Sequence, residues 1–224
     1  MSAINLAPSA PEIVRHERKL SGLSLAGLAE RAAALICLVA ASPLIAISIL
    51  AVSRLSRRSP FVAHRRVGKN GRVFWMLKLR TMWNGNAPNS RERGWIERIA
   101  SEPAEDSKNP ADPRIANPLA AFFRRHSVDE LPQLWHVVRG EMSLVGPRPL
   151  TWTELARYYG PHTSELLSVK PGLTGFWQVQ GRSEIKFPRR AEMDLDLVRT
   201  LTPKRYLSLI LRTLPALISG KGAW

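Results

Sequence analysis

The stretch Ala32 to Val52, AAALICLVAASPLIAISILAV, decides how the rest of the chain is read, because its 21 residues carry no charge. As a straight helix it rises about 31 Å, the hydrocarbon thickness of a bilayer. A membrane segment is therefore the first expectation. A cleaved signal peptide fits poorly, since residues 1–31 precede the run and no small-residue cleavage site before a mature domain is evident. A buried soluble helix would be unusually long and featureless.

Ser42-Pro43 lies at the midpoint of the run. Proline removes a backbone donor and clashes with the preceding turn, which predicts two half-helices of about ten residues each. Basic residues flank both ends, Arg15, Arg18, Lys19 and Arg31 before and Arg54, Arg57 and Arg58 after, and positive flanks belong on the cytoplasmic side. Two arrangements follow. One is a re-entrant hairpin that dips into one leaflet, with Ser42 serving backbone groups that Pro43 frees; the other is a kinked single-pass helix. Sequence physics leaves both open.

Outward from the run the charge is one-sided. The chain carries 33 Lys and Arg against 18 Asp and Glu, a net +15, and from Arg54 to Arg93 eleven bases face one acid, Glu92. Such an excess seeks phosphates on nucleic acid, lipid headgroups or a substrate; its place directly after the apolar run points to an anionic membrane surface first. The single cysteine, Cys37, lies inside that run, which excludes a disulfide framework and a Cys-based metal site. With 45% apolar and 23% charged residues over 224 positions, the chain has the composition and length of one folded domain with appendages. The expected organisation is a polar tail over residues 1–25, a membrane helix over 26–58 and a catalytic domain over 59–224.

Past the membrane segment, HRRVGKNGRVFWMLKLRTM (His64 to Met82) reads as a hairpin with its turn at Gly68 to Gly71 and a strand from Val73 to Met82. Alternation puts Phe74, Met76, Lys78 and Arg80 on one face, with Lys78 and Arg80 about 7 Å apart, suited to two arms on one diphosphate. The blander alternative is an edge strand protected by charge. Asn84 to Asn117 reads as a loop-rich excursion with one short helical stretch near Arg91 to Ala100. A basic approach, Arg124 and Arg125, then leads into SVDELP (Ser127 to Pro132). Pro132 suits a first helical turn, Leu131, Leu134, Trp135 and Val138 fall on one face, and Gly140 ends the helix. Asp129 and Glu130 thus stand at a helix N-terminus, whose dipole keeps carboxylates ionised; alone, such a pair is usually a cap.

Two loops dense in turn residues follow. In GEMSLVGPRP (Gly140 to Pro149), Pro147 and Pro149 stiffen the backbone around Arg148 and present its guanidinium to a phosphate. In KPGLTGFWQVQGR (Lys170 to Arg182), Gly172, Gly175 and Gly181 allow close approach, Lys170, Gln178 and Arg182 supply donors, and Trp177 a flat face. Met193 to Ser219 alternates leucines with Arg199, Lys204, Arg205 and Arg212, an amphipathic basic pattern suited either to anionic lipid or to packing on the core.

Taken in this order, the apolar run with Ser42-Pro43, RRVGKNGRVF leading into KLRTM, DPRI (Asp112 to Ile115), SVDELPQLWHVVRGEMSLVGPRP, KPGLTGFWQVQGR and the terminal GKGAW closely resemble the bacterial sugar transferase family. These are monotopic phosphoglycosyl transferases, and the short form here is similar to starters of exopolysaccharides such as succinoglycan. The resemblance implies an α/β fold, α-rich with a small sheet, in a monotopic membrane protein: a re-entrant helix broken at Ser42 and Pro43, a catalytic domain on the cytoplasmic face of the bacterial inner membrane, and interfacial amphipathic helices. It implies transfer of a sugar 1-phosphate from a UDP-sugar, UDP-galactose or UDP-glucose, to undecaprenyl phosphate with release of UMP. Asp129 is implied as the nucleophile of a two-step reaction through a phosphosugar-aspartyl intermediate, and Asp129 with Glu130 as the holders of Mg²⁺. Lys78, Arg80, Arg148, Arg125, Lys170, Gln178 and Arg182 are the candidate phosphate contacts. Downstream glycosyltransferases are implied partners, and a homodimer is compatible. The chemistry agrees, because a carboxylate with a pKa of about 4 is ionised at neutral pH and needs no general base to act as a nucleophile.

Three other readings make different predictions. A membrane-anchored nucleic-acid binder accounts for the charge but not for the acidic pair, and predicts salt-sensitive affinity without turnover; no nucleic-acid partner is expected. A non-catalytic scaffold for polysaccharide assembly predicts indifference to Asp129→Asn. A metal hydrolase is disfavoured because His16, His64, His126, His136 and His162 show no paired ligand spacing.

Overall fold

The computed structural model describes residues 24–82, 94–99 and 117–222. The polar tail up to residue 23, the DPRI motif and the last two residues of GKGAW lie outside them.

The apolar run becomes one helix, α1 (Leu25–Ser56), opened by Ser24, whose hydroxyl accepts from the Gly27 N–H, and closed by Arg57 in a left-handed conformation. It is long and apolar enough to cross a membrane. The expected break into two half-helices does not occur: α1 runs through Pro43. Pro43 has no N–H for the carbonyl of Val39, four residues back, and the Ser42 hydroxyl donates to that carbonyl instead, at 2.7 Å. The lost backbone bond is replaced locally, so the helix has less reason to end. Burial follows one stripe, Ala34, Ser48, Val52 and Ser56, and Ser48 and Ser56 return their hydroxyls to the carbonyls of Leu44 and Val52. Ile36, Val39 and Ile47 are exposed.

The hairpin forms as read, β1 (Phe61–Val67) against β2 (Val73–Leu79), with the strand ending at Leu79 rather than Met82. Asn70 and Gly71 take positive φ in the turn, a conformation that Asn and Gly tolerate at little steric cost. The stretch Arg91 to Ala100 is corrected: its described part contains a strand, β3 (Ile96–Ile99), lying parallel to β1. Four residues are too few to hold a helix alone, whereas the second edge of β1 offers them ladder partners. Sheet order is β2-β1-β3, so Val62 pairs with Lys78 on one side and Glu97 on the other.

After α2 (Pro118–Arg125), residues Val128–Gln133 form a 3₁₀ turn that passes into α3 (Leu134–Arg139), stopped by Gly140 at φ 77. Trp135 is corrected from the inner face to the surface, 45% exposed. The α-helix begins only at Leu134, so its inner face is Leu134 and Val137, with Trp135 turned about 100° away.

The two turn-rich loops lie side by side. β4 (Ser143–Val145) and β5 (Gly172–Thr174) pair in parallel. A Cβ on Gly172 would stand 2.1 Å from the Gly146 nitrogen, so this approach needs glycine. The remaining helices are α4 (Trp152–Tyr158), opened by a Thr151–Glu154 capping box, α5 (Thr163–Leu166), α6 (Phe176–Gln180), α7 (Phe187–Thr200) and α8 (Pro203–Ser219). The Met193–Ser219 stretch is thus two helices joined at Leu201 and Thr202. Leu209 of α8 is buried, while Leu207, Leu211, Leu214 and Ile218 line its exposed side.

Both halves of α1 pack on this body. Ala34 joins Phe74, Met76, Leu134, Val137 and Met142 in one core; Val52 joins Leu79, Phe123 and Val128 in another. The strand β2 and the Asp129 turn lie between these two cores.

Candidate active site

The 3₁₀ turn presents two adjacent carboxylates. Asp129 is 7% exposed, and the Glu130 N–H donates to the Ser127 carbonyl at 3.1 Å. Lys78, at the end of β2, places its ammonium 2.8 Å from Glu130 Oε1, with both side chains mostly shielded. From the other side comes Arg182, whose Nη2 donates to Ser127 Oγ at 2.6 Å and Nη1 to the Arg125 carbonyl at 3.2 Å. Burial lowers the Arg182 pKa, and the charges of Glu130 and Asp129 act against that shift. An anionic pair is therefore bracketed by two cations, which stabilises it in a partly desolvated place.

The strand carrying Lys78 is held by His136. The Leu77 N–H donates to His136 Nε2 at 3.0 Å, and His136 Nδ1 lies 2.6 Å from Glu141 Oε2. An accepting Nε2 requires the proton on Nδ1, so the ring is neutral. Burial, partly opposed by Glu141, lowers its pKa below 6.5.

Asp129, Glu130, Lys78, Arg182 and the main chain of Arg125 thus converge. The other expected phosphate contacts do not join them. Arg80 donates from Nε to the Ser59 carbonyl at 2.8 Å and pairs through Nη2 with Glu97 at 2.5 Å, so it and Lys78 diverge rather than form two arms. Lys170 sits among Glu30, Arg31 and Lys69, its pKa lowered chiefly by burial. Gln178 keeps a buried Oε1 without a hydrogen bond, close to Gly175. Arg148 belongs to a second cluster around Asp194.

Asp194 is 1% exposed. Its Oδ2 accepts from the Tyr159 hydroxyl at 2.9 Å and its Oδ1 from Trp177 Nε1 at 3.1 Å, and the Arg148 backbone N–H also bonds it. Burial pushes its carboxyl up to about 7 against these bonds, and burial with the nearby carboxyl raises the Tyr159 hydroxyl. The guanidinium of Arg148 stands 5.8 Å from the Trp177 ring centre and that of Arg190 stands 4.7 Å away. The sequence reading missed Asp194; the one available signal was an acid set between apolar residues in MDLDLV (Met193 to Val198).

Among the described residues no group of three or more His, Cys, Asp or Glu side chains gathers as a metal cage. Asp129 and Glu130 offer oxygen donors alone, a set that fits Mg²⁺, which binds through one or two carboxylates and completes its shell with water and substrate phosphates.

Residues 24–220 match the protein family described as "Bacterial sugar transferase". The chain is 39% identical over 183 residues to a UDP-galactose-lipid carrier transferase of Erwinia amylovora, covering 81% of this chain and 38% of that one. It is 36% identical to the exopolysaccharide production protein ExoY of Sinorhizobium fredii, covering 85% and 84%. It is 35% identical to a UDP-glucose:undecaprenyl-phosphate glucose-1-phosphate transferase of Caulobacter vibrioides, covering 82% and 66%. The chain therefore spans little more than a third of the Erwinia relative but most of ExoY.

Proposed function

The chain belongs to the bacterial sugar transferase family, and from that premise we propose that it moves a sugar 1-phosphate from a UDP-sugar to undecaprenyl phosphate as the first membrane step of exopolysaccharide synthesis. The observation that carries the proposal is the buried Asp129 beside Glu130, set between Lys78 and Arg182.

In the first step an Asp129 oxygen attacks the β-phosphorus of the UDP-sugar; the new O–P bond forms as the bond to UMP breaks, and UMP leaves with that electron pair. In the second, a phosphate oxygen of the polyprenyl acceptor attacks the same phosphorus and the Asp129 carboxylate leaves, free for another cycle. Lys78 fixes Glu130 beside the nucleophile, and Arg182 offsets the negative charge that gathers when a diphosphate meets two carboxylates. Asp129 and Glu130 would hold Mg²⁺, which supplies charge neutralisation of the diphosphate when bound. UDP-galactose and UDP-glucose are the donors proposed, in keeping with the names of the relatives.

The placement of α1 supports monotopic insertion from the cytoplasmic leaflet of the inner membrane. Near one end, Glu30 accepts from Ser143 Oγ at 2.5 Å and the Leu144 N–H at 2.8 Å, and also meets the Tyr206 hydroxyl. Near the other end, Val52 packs on Leu79 and Phe123. A helix crossing perpendicular to the bilayer holds one end about 30 Å from the other face, out of reach of a domain on that face.

The test is UMP release from a panel of UDP-sugars by the full chain in lipid with Mg²⁺, with and without undecaprenyl phosphate, for wild type and Asp129→Asn. Acceptor-dependent release from one donor, abolished by the substitution, is the expected result. Silence toward every donor from folded protein would favour a non-catalytic scaffold.

A further inference from the structure

Among the described residues, four other than glycine have positive φ: Arg57, Asn70, Ser127 and Arg182. Arg57 ends a helix and Asn70 sits in a hairpin turn, ordinary places for that conformation. Ser127 and Arg182 likewise follow helix ends, just past the caps of α2 and α6, but these two meet each other across the fold. They lie 55 residues apart and are hydrogen-bonded to each other at 2.6 Å, and Ser127 stands two residues before Asp129. Resting on the reading of Asp129 as nucleophile, we propose that Ser127 is a positioning residue for the transfer reaction, fixing the Arg182 guanidinium against both carboxylates through a neutral hydroxyl.

A serine preceding a helical turn ordinarily folds its hydroxyl back onto the N–H groups of that turn. Ser127 makes no such bond. With φ 53 and ψ 26 it is left-handed, outside the extended backbone that brings a capping hydroxyl over the turn, and the hydroxyl takes Arg182 Nη2 instead. Nη1 is held independently by the Arg125 carbonyl at 3.2 Å and more loosely by that of Ala216 in α8 at 3.5 Å, so both terminal nitrogens of the fork are tied. A guanidinium has five N–H donors in a rigid plane. Tying two nitrogens therefore sets the direction of the remaining donors.

The type of partner matters as much as its place. A carboxylate at position 127 would orient Arg182 and also cancel its charge; a hydroxyl and a carbonyl orient it and leave the charge for Asp129, Glu130 and an incoming diphosphate. A residue that acts by orientation shows itself in the rate more than in substrate affinity.

The experiment compares Ser127→Ala, Ser127→Gly and Ser127→Asn in the full chain in nanodiscs with undecaprenyl phosphate, measuring kcat, KM for the UDP-sugar and the thermal midpoint. Glycine relieves the left-handed strain and removes the hydroxyl; asparagine tolerates the left-handed region and restores an acceptor. Expected is a kcat loss of about tenfold or more for both Ala and Gly with KM nearly steady, and recovery of most of the rate by Asn. If Gly matches wild type while Ala is slow, the position matters through its backbone alone and the proposal is overturned; equal rates for all variants overturn it too. A wild-type protein that releases no UMP from any donor defeats instead the functional reading on which the inference stands.

Discussion

The Lys78 ammonium meets Glu130 across 2.8 Å, although the residues are 52 positions apart in the chain. This pair joins the end of β2 to the dyad turn. Replacing Lys78 by Met leaves Glu130 without that partner, and kcat for UMP release is expected to fall about 100-fold, the scale of losing one charged stabiliser. A steady-state assay with Asp129→Asn as the zero checks it.

Arg80 is expected to behave differently from its near neighbour. It is engaged with Glu97 and the Ser59 carbonyl, so Arg80→Leu should cost about 1–3 kcal/mol of stability by leaving a carbonyl unpaired. Chemical denaturation measures the loss, and KM for the donor in the folded fraction should change little.

His136 gives the fold a defined pH dependence. Its folded pKa is depressed below 6.5 by burial, so the unfolded chain binds the proton first and stability grows with pH across that window. The His136 contribution is complete above about 6.5 and declines as pH falls toward the lowered folded value. Melting curves between pH 5 and 8 should show this slope, and His136→Gln should flatten it.

Asp194 titrates with the opposite sign. Its carboxyl is raised to about 7 by burial, so its contribution is greatest below its unfolded pKa of about 4 and declines as pH rises toward 7. Asp194→Ala removes the acceptor for Tyr159, Trp177 and the Arg148 N–H together. A loss of at least about 2 kcal/mol is expected, read by calorimetry.

Ser42 and Pro43 should be coupled. Ser42→Ala orphans the Val39 carbonyl only while position 43 lacks an N–H. A double-mutant cycle with Pro43→Ala, followed by unfolding in detergent, should return a coupling of about 1 kcal/mol, with Ser42→Ala nearly neutral in the Pro43→Ala background.

What the sequence displayed were features written into neighbouring residues. The Gly68–Gly71 hairpin, the Gly140 stop and the paired acids opening a helical turn depend on local geometry, and all three stand where the spacing puts them. Helix α1 was half legible: its length is in the composition, but its passage through Pro43 turns on one hydroxyl rotor. Strand β3 was illegible because IERI has no strong period of its own and takes its form from β1. Among seven proposed phosphate contacts the chain's spacing separated Lys78 from Arg80 by one residue, yet their partners come from different elements, Glu130 and Glu97. Arg182 meeting Ser127 and Asp194 gathering three donors likewise depend on tertiary closure.

The imidazole of His136 occupies a main-chain donor on the outer side of β2, the strand at the end of the β2-β1-β3 order. An edge donor so occupied cannot pair with another strand in register at Leu77. Recruitment of a further strand there, whether from a second copy or a foreign peptide, is thereby opposed on the strand that carries Lys78. One ring nitrogen thus guards the margin of the sheet that carries Lys78 against polymerisation at that point.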